Sequence, residues 1–279
     1  MSQHHEGTLT AFDGLTIHRQ SWLPDGEPKG AVMLVHGLGE HSGRYIHVAD
    51  RLTSAGYAVH SFDHRGHGKS EGKRSYVKKY EEFMADMMQM RGYVESQHRD
   101  LPLVVLGHSM GGNLAVGYAL DHQEGLAGLA LSGPALMVGD DLSPAKIKIF
   151  SAVAKVAPGI RPDGLNAEAL SRDPAVVAAY RADPLVFTGK ISAGLGSALI
   201  GAMQSFPDRY AELQLPVLLL HGTEDRLCRV EGSRQLEELA TNATVTSHYY
   251  DGLFHEIFNE PEQDQVLDDL VAWLDGVVS

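Results

Sequence analysis

A serine, an aspartate and a histidine stand along this chain in surroundings that suit acyl transfer. Ser109 lies in Gly107-His108-Ser109-Met110-Gly111, after the apolar run 103–106 and before a helical stretch at 113–120. A turn from strand directly into helix forces such a serine into a strained conformation with its hydroxyl facing outward. Gly107 and Gly111 fit where strand and helix nearly touch. Free N–H groups at the start of the helix point at any oxyanion forming beside the serine. Asp225 follows the apolar run 215–221, just past a strand end, and His255 sits in the loop before the last helical segment. A serine hydroxyl is a poor nucleophile at neutral pH. His255 would take its proton during attack on an ester carbonyl and return it to the leaving alcohol. Asp225 would hold the imidazole in one tautomer and stabilise its charged form. Glu224 and Asp251 are alternative acids; Asp225 is preferred for its place at the strand end. His108 adjoins Ser109 on the turn itself and cannot reach round to act as its base.

A second oxyanion donor is expected from His36-Gly37-Leu38-Gly39, which follows the apolar run 30–35. The backbone N–H of Leu38 is the candidate, paired with that of Met110, because flanking glycines let the backbone approach a substrate oxygen. His36, His41, His64 and His67 raise the question of a metal. No carboxylate or cysteine completes a ligand spacing, so neither a metal nor another cofactor is expected. The loop 63–70, dense in charge and glycine, reads as a structural connection in which Asp63 and Arg65 satisfy local backbone groups.

These residues need a scaffold. Two short runs around Asp13-Gly14 predict a β-hairpin. Continuous apolar runs at 30–36, 57–62, 103–106, 126–131 and 215–221 predict strands buried on both faces, with a further strand at 243–250. Helical patterns intervene at 45–54, 80–97 and 232–240, and an amphipathic helix closes the chain at 261–277. Phe83, Met87, Met90 and Val94 share one helix face and read as core. Alternation of this kind implies an α/β fold with a mostly parallel central sheet flanked by helices, its ligand at the carboxyl ends of the strands. The rhythm breaks at 136–206, where short helical patterns rich in Ala, Gly and Pro replace strands. That segment is expected to be a helical cap inserted after the sixth strand, on a core made of 1–135 and 207–279.

The chain has 279 residues, 43% of them hydrophobic, and a net charge of −13. Its 23 basic residues form no evident block, which argues against nucleic acid and against electrostatic docking on anionic lipid. The single cysteine, Cys228, cannot form an intramolecular disulfide and fits a reducing compartment. The polar start shows no secretory signal, and no apolar run approaches the ~20 residues of a membrane span. A cytoplasmic protein is therefore expected, with peripheral lipid contact through the apolar segment 147–156 of the cap.

The order serine, acid, histidine is that of the α/β-hydrolases. Four motifs sharpen the likeness: His36-Gly37-Leu38-Gly39-Glu40-His41-Ser42-Gly43-Arg44-Tyr45, Gly107-His108-Ser109-Met110-Gly111-Gly112, Asp183-Pro184-Leu185 and Asp225-Arg226-Leu227-Cys228. Together they resemble the monoacylglycerol lipase family over most of the chain, and least in the cap. The resemblance implies an α/β-hydrolase acting on a glycerol ester with one acyl chain. It also implies a polar pocket beneath the cap that reads the glycerol, with Arg44, His108 and Tyr180 near it. Cys228 would correspond to a cysteine that makes the family's site sensitive to thiol reagents. Leu38 stands where the mammalian members have alanine, which leaves the backbone role intact and alters the acyl entrance. Chain-length preference does not transfer. A lysophospholipase or a short-chain carboxylesterase would use the same residues, and a non-catalytic lipid binder is a reading from another class.

Overall fold

The computed structural model describes residues 3–139, 144–161, 163–164 and 166–278. The chain begins with β1 (Gln3–Thr10), β2 (Thr16–Leu23) and β3 (Gly30–Val35), then α1 (Ile46–Ser54), β4 (Tyr57–Phe62), α2 (Tyr80–Gln97), β5 (Leu103–His108), α3 (Met110–His122) and β6 (Leu126–Ser132). Next come α4 (Pro144–Val156), β7 (Asp163–Gly164), α5 (Pro174–Ala182), β8 (Lys190–Ile191) and α6 (Ala193–Ser205). The last elements are β9 (Val217–Gly222), α7 (Val230–Leu239), β10 (Val245–Tyr250) and α8 (Gln263–Val278).

Eight strands form one sheet in the order β1-β2-β4-β3-β5-β6-β9-β10. β1 and β2 are antiparallel, as is the β2–β4 pair, and every pairing from β4 through β10 is parallel. Strands β3, β4, β5 and β9 are buried at every position, which their unbroken apolar runs require. Side chains alternate between two cores. Val104 and Leu106 of β5 join α1 and α8 on one face, through Leu52, Leu270 and Leu274. Leu103 and Val105 join α2 and α3 on the other, where Phe83, Met87, Met90 and Val94 are buried as expected. Each such fully buried side chain contributes about 1.5–3 kcal/mol relative to exposure. Between β6 and β9 lie α4, α5, α6 and the two-residue strands β7 and β8, which pair with each other rather than with the main sheet. Parts of the 147–156 pattern, the side chains of Ile149 and Phe150 with Lys146 beside them, lie outside the described residues.

The structure departs from expectation in two instructive places. β1 begins at Gln3, in a polar stretch with no apolar signal, because this edge strand is mostly exposed and is held by its ladder to β2. The loop 63–70 is also only half as expected. Asp63 does accept from the backbone N–H groups of Ser42 and Lys69, at 2.8 and 2.7 Å. Arg65 instead binds carboxylates, Asp86 at 2.6 and 2.8 Å and Asp13 at 2.9 Å. A buried guanidinium gains more from a charged acceptor than from a carbonyl.

Candidate active site

β5 is a central strand of the sheet, and it delivers Ser109 to the carboxyl edge. The residue adopts φ 56° and ψ −120° and caps α3, which starts at the next position. The turn is too tight for side chains on its flanks. A Cβ on Gly111 would lie 2.0 Å from the Val35 carbonyl oxygen, and one on Gly107 would lie 2.4 Å from that of Gly111. Helix α3 begins three residues earlier than the apolar pattern predicts, because the strained serine enters it without an intervening loop.

Asp225 and His255 follow β9 and β10, so both reach the same edge. His255 Nδ1 donates to Asp225 Oδ2 at 2.7 Å. Oδ1 of Asp225 accepts from the backbone N–H groups of Leu227 and Cys228, at 2.8 and 2.9 Å. Glu224 is exposed and Asp251 accepts from Thr223, so neither faces the imidazole. Burial opposes ionisation of Asp225, but His255 and His221 outweigh it and hold the carboxyl far below the usual range. Burial likewise disfavours a charged His255, yet Asp225, with Glu256 and Glu40, raises its pKa above the ordinary 6.5.

Ser109 and His255 line one cavity of about 210 Å³, together with Leu38, Met110, His108 and Tyr180. The Ser109 hydroxyl rests 3.8 Å from Cys228 Sγ. Leu38 and Met110 both line the cavity, and neither spends its N–H on a hydrogen bond among the described residues. Cys228 is buried, and burial together with Asp225 pushes its thiol well above the ordinary range.

The cavity also has a charged end. Glu40 accepts from Gly37 N–H and Tyr45 Oη, both at 2.6 Å, and from Arg44 at 2.7 Å. Arg44 also forks onto Glu256, at 2.6 and 2.8 Å, and stacks 4.8 Å above the Tyr180 ring. Of the three residues that the family resemblance puts near a glycerol, His108 and Tyr180 line the cavity, while Arg44 stands behind its carboxylates. Tyr180 Oη is buried without a hydrogen-bond partner among the described residues. His108 lies 4.7 Å from His255, ring to ring, and burial with that neighbour lowers its pKa to about 4, so it stays neutral.

Sequence reasoning missed Glu40, Glu256 and His221. The Nε2 of His221 donates to Asp225 Oδ2 at 3.1 Å and to the Cys228 carbonyl at 3.0 Å, while its Nδ1 accepts from Ser233 at 2.8 Å. Its position at the end of β9, four residues before Asp225, was the available signal. His36, His64 and His67 pack ring against ring beneath the Leu38 loop. The Asp183-Pro184-Leu185 turn braces that loop: His41 Nε2 donates to Asp183 at 2.9 Å and Phe187 N–H to the Gly39 carbonyl at 2.7 Å.

A mostly parallel sheet with a strained serine after its central strand, and carboxylate and imidazole brought in later from the same edge, defines a serine hydrolase of the α/β-hydrolase class. The chain belongs to the monoacylglycerol lipases of the serine aminopeptidase S33 family, whose profile matches residues 26–262. It is 45% identical over 273 residues to the monoacylglycerol lipase of Mycolicibacterium smegmatis, covering 98% of each chain. It is 33% identical to the human monoglyceride lipase, covering 95% of this chain and 89% of that one. The crystal structure of the Paleococcus ferrophilus monoacylglycerol lipase superposes with a TM-score of 0.84 at 33% identity, over 94% of this chain and 99% of that one.

Proposed function

We propose that this chain hydrolyses monoacylglycerol to free fatty acid and glycerol, with Ser109 as nucleophile, His255 as base and Asp225 as its partner. One observation carries the reading: serine, imidazole and two free N–H groups share a cavity with an apolar wall and a polar end. Ser109 Oγ attacks the ester carbonyl as its proton passes to His255 Nε2. The oxyanion is held by the N–H groups of Leu38 and Met110, each worth about 3–4 kcal/mol in such a site. The intermediate collapses as His255 protonates the departing glycerol oxygen. Water, deprotonated by the same imidazole, then cleaves the acyl-enzyme and releases the acid.

Leu199 and Met203 of α6, with Leu38 and Ile191, offer the acyl chain an apolar wall. Tyr180 Oη and His108 suit a glycerol hydroxyl, since each has a polar atom near the reacting centre. Arg44 acts from behind by holding Glu40 and Glu256. Two carboxylates against one guanidinium leave this end net negative, which disfavours a phosphate-bearing headgroup. Residues 136–206 are read as a cap over a core of 1–135 and 207–279, making transient contact with the lipid that supplies substrate. No helix among the described residues is long and apolar enough to cross a membrane. The reading is of a cytoplasmic enzyme that visits a lipid surface.

A substrate panel tests this reading. Monoacylglycerols of graded acyl length are expected to exceed the matched lysophospholipid and diacylglycerol in kcat/KM by about 10-fold or more, on the scale of one unpaired polar group. An aminoacyl nitroanilide is expected to be cleaved negligibly. Preference for the lysophospholipid or the anilide would overturn the assignment.

The rate should also follow the His255 titration. The imidazole must be neutral to accept the serine proton, and its folded pKa lies above 6.5. The acid limb of kcat/KM is therefore expected to have its midpoint above that value, with activity lost as pH falls through it. Stability linked to this group runs the other way: it is present below pH 6.5 and lost as pH rises through the raised pKa. A midpoint near 4, where His108 titrates, would assign the base wrongly.

A further inference from the structure

The cations of this acidic chain are sorted in space. Outside residues 73–79, most of those on the core are tied to carboxylates, as in Lys29 with Asp275, Arg51 with Asp268 and Lys69 with Glu6. Lys73, Arg74, Lys78, Lys79, Lys148, Lys155 and Lys190 are all exposed, and none forms an ion pair among the described residues. They come from three separate stretches of chain, 73–79, 148–155 and 190, but converge on one face. Lys78, Lys79 and Lys155 line a single groove of about 530 Å³ between the start of α2, α4 and α6. Lys148 lines the adjoining hollow with Lys155. Lys73 Nζ comes within 3.1 Å of where a Cβ on Gly159 would sit. Arg161 ties the first stretch to the last by donating to the backbone carbonyls of Arg74 and Lys190. Glu81 is the one carboxylate among the described residues that line the groove.

Apolar side chains stand exposed at the same place. Val153, Val156 and Ile160 are 36%, 89% and 52% exposed, and they supply half of the large exposed hydrophobics among the described residues. An apolar tip ringed by unpaired cations suits neither water nor a nucleic acid, whose backbone gives Val156 and Ile160 nothing to bury against. It suits a bilayer whose headgroups are negative and whose acyl region lies just beneath them. Helix α6 joins this face to the chemistry: Gly194, Ser197 and Ala198 border the groove, while Leu199 and Met203 border the Ser109 cavity.

We infer that this face docks on anionic phospholipid bilayers and brings the Ser109 cavity to the surface where its substrate is dissolved. The inference rests on the lipid-contact reading above and adds to it the headgroup charge and the residues that recognise it. It also corrects the expectation that no basic block exists. Four of the seven residues from Lys73 to Lys79 are basic, and folding adds Lys148, Lys155 and Lys190 to them. The −13 of the whole chain opposes docking only weakly, because charges farther than about 8 Å from the surface are screened at physiological salt.

The test is cosedimentation of the full chain with vesicles of phosphatidylcholine alone or mixed with phosphatidylglycerol. Binding to the mixed vesicles is expected to be about 10-fold tighter or more, and to weaken steeply with salt. The combined variant Lys73→Glu, Lys78→Glu, Lys79→Glu and Lys155→Glu should lose that preference while hydrolysing a soluble short-chain ester at the wild-type rate. Val156→Ser with Ile160→Ser should weaken binding to both vesicles. Equal binding of the wild type to the two compositions, or an anionic preference that survives charge reversal, would overturn the inference and leave the lipid-contact reading standing. Binding to neither would overturn both while leaving ester hydrolysis intact. Retardation of duplex DNA by a chain that ignores vesicles would identify the face as something else.

Discussion

Replacing Ser109 by alanine is expected to lower kcat by roughly 10⁵–10⁶-fold, since the attacking oxygen is gone and only binding and the oxyanion donors remain. Labelling by a fluorophosphonate probe should vanish with it. The protein should stay folded, because among the described residues the lost hydroxyl has only a 3.8 Å contact with Cys228 Sγ to give up. Ser109→Gly makes the experiment sharper. At φ 56° and ψ −120° a side chain strains the backbone, by about 1–3 kcal/mol in such regions. Glycine relieves that strain and returns about 0.4–1 kcal/mol through the freer unfolded chain. Strain relief is the larger of the two, so Ser109→Gly should be inactive and more stable than Ser109→Ala, with Tm higher by about 2–4 °C. Alanine retains the strain and should melt near the wild type. A Ser109→Ala protein that keeps a tenth of wild-type turnover would remove the nucleophile from this account. A glycine variant that melts below alanine would remove the strain.

How much of this could be read from the sequence depended on whether the physics was local. The serine turn was legible because strand, two glycines and helix are consecutive, and the clash that a Cβ would suffer at Gly107, against the Gly111 carbonyl, is encoded within five residues. Strands β3, β4, β5 and β9 were legible because burial on both faces leaves an unbroken apolar run. The hairpin of β1 and β2 was legible from Asp13-Gly14, but the start of β1 at Gln3 was not, because an exposed edge strand is specified by the hydrogen bonds of its neighbour and leaves little trace in its own side chains. The charged end of the cavity was illegible for a different reason. Arg44 and Glu256 stand 212 positions apart, and only the folded sheet makes a bidentate pair of them. The cationic face is the same case at larger scale, with three stretches brought together only by the fold. Asp225 was preferred to Glu224 for its place just past a strand end; in the turn that follows β9 it points to His255, while Glu224 is exposed.

Asp225→Asn is expected to lower kcat by about 10⁴-fold while changing KM little, and the reason lies in who donates to whom. The wild-type carboxylate is acceptor-only. Its Oδ1 takes two backbone N–H groups, and its Oδ2 takes a proton-bearing nitrogen from each of His255 and His221. The asparagine carbonyl can keep the two backbone donors, which leaves the NH₂ facing both imidazoles. His255 Nδ1 must then accept instead of donate, so its proton moves to Nε2, the atom that has to receive the proton of Ser109. His221 faces the same reversal; its Nδ1 can then donate to Ser233, and the Cys228 carbonyl loses its donor. The variant should therefore fold, bind substrate and fail in chemistry. Asp225→Ala separates this tautomer effect from simple loss of charge. It abandons two buried N–H groups and two imidazoles together, and breaking a buried pair of this kind costs about 3–5 kcal/mol. Steady-state kinetics with thermal melts on the two variants would tell them apart, the asparagine losing turnover and only about 2–4 °C of Tm for one hydrogen bond, the alanine losing turnover and far more Tm. An asparagine variant within tenfold of wild-type kcat would mean that Asp225 holds His221 and the loop of Cys228 in place and that the base is oriented by another group.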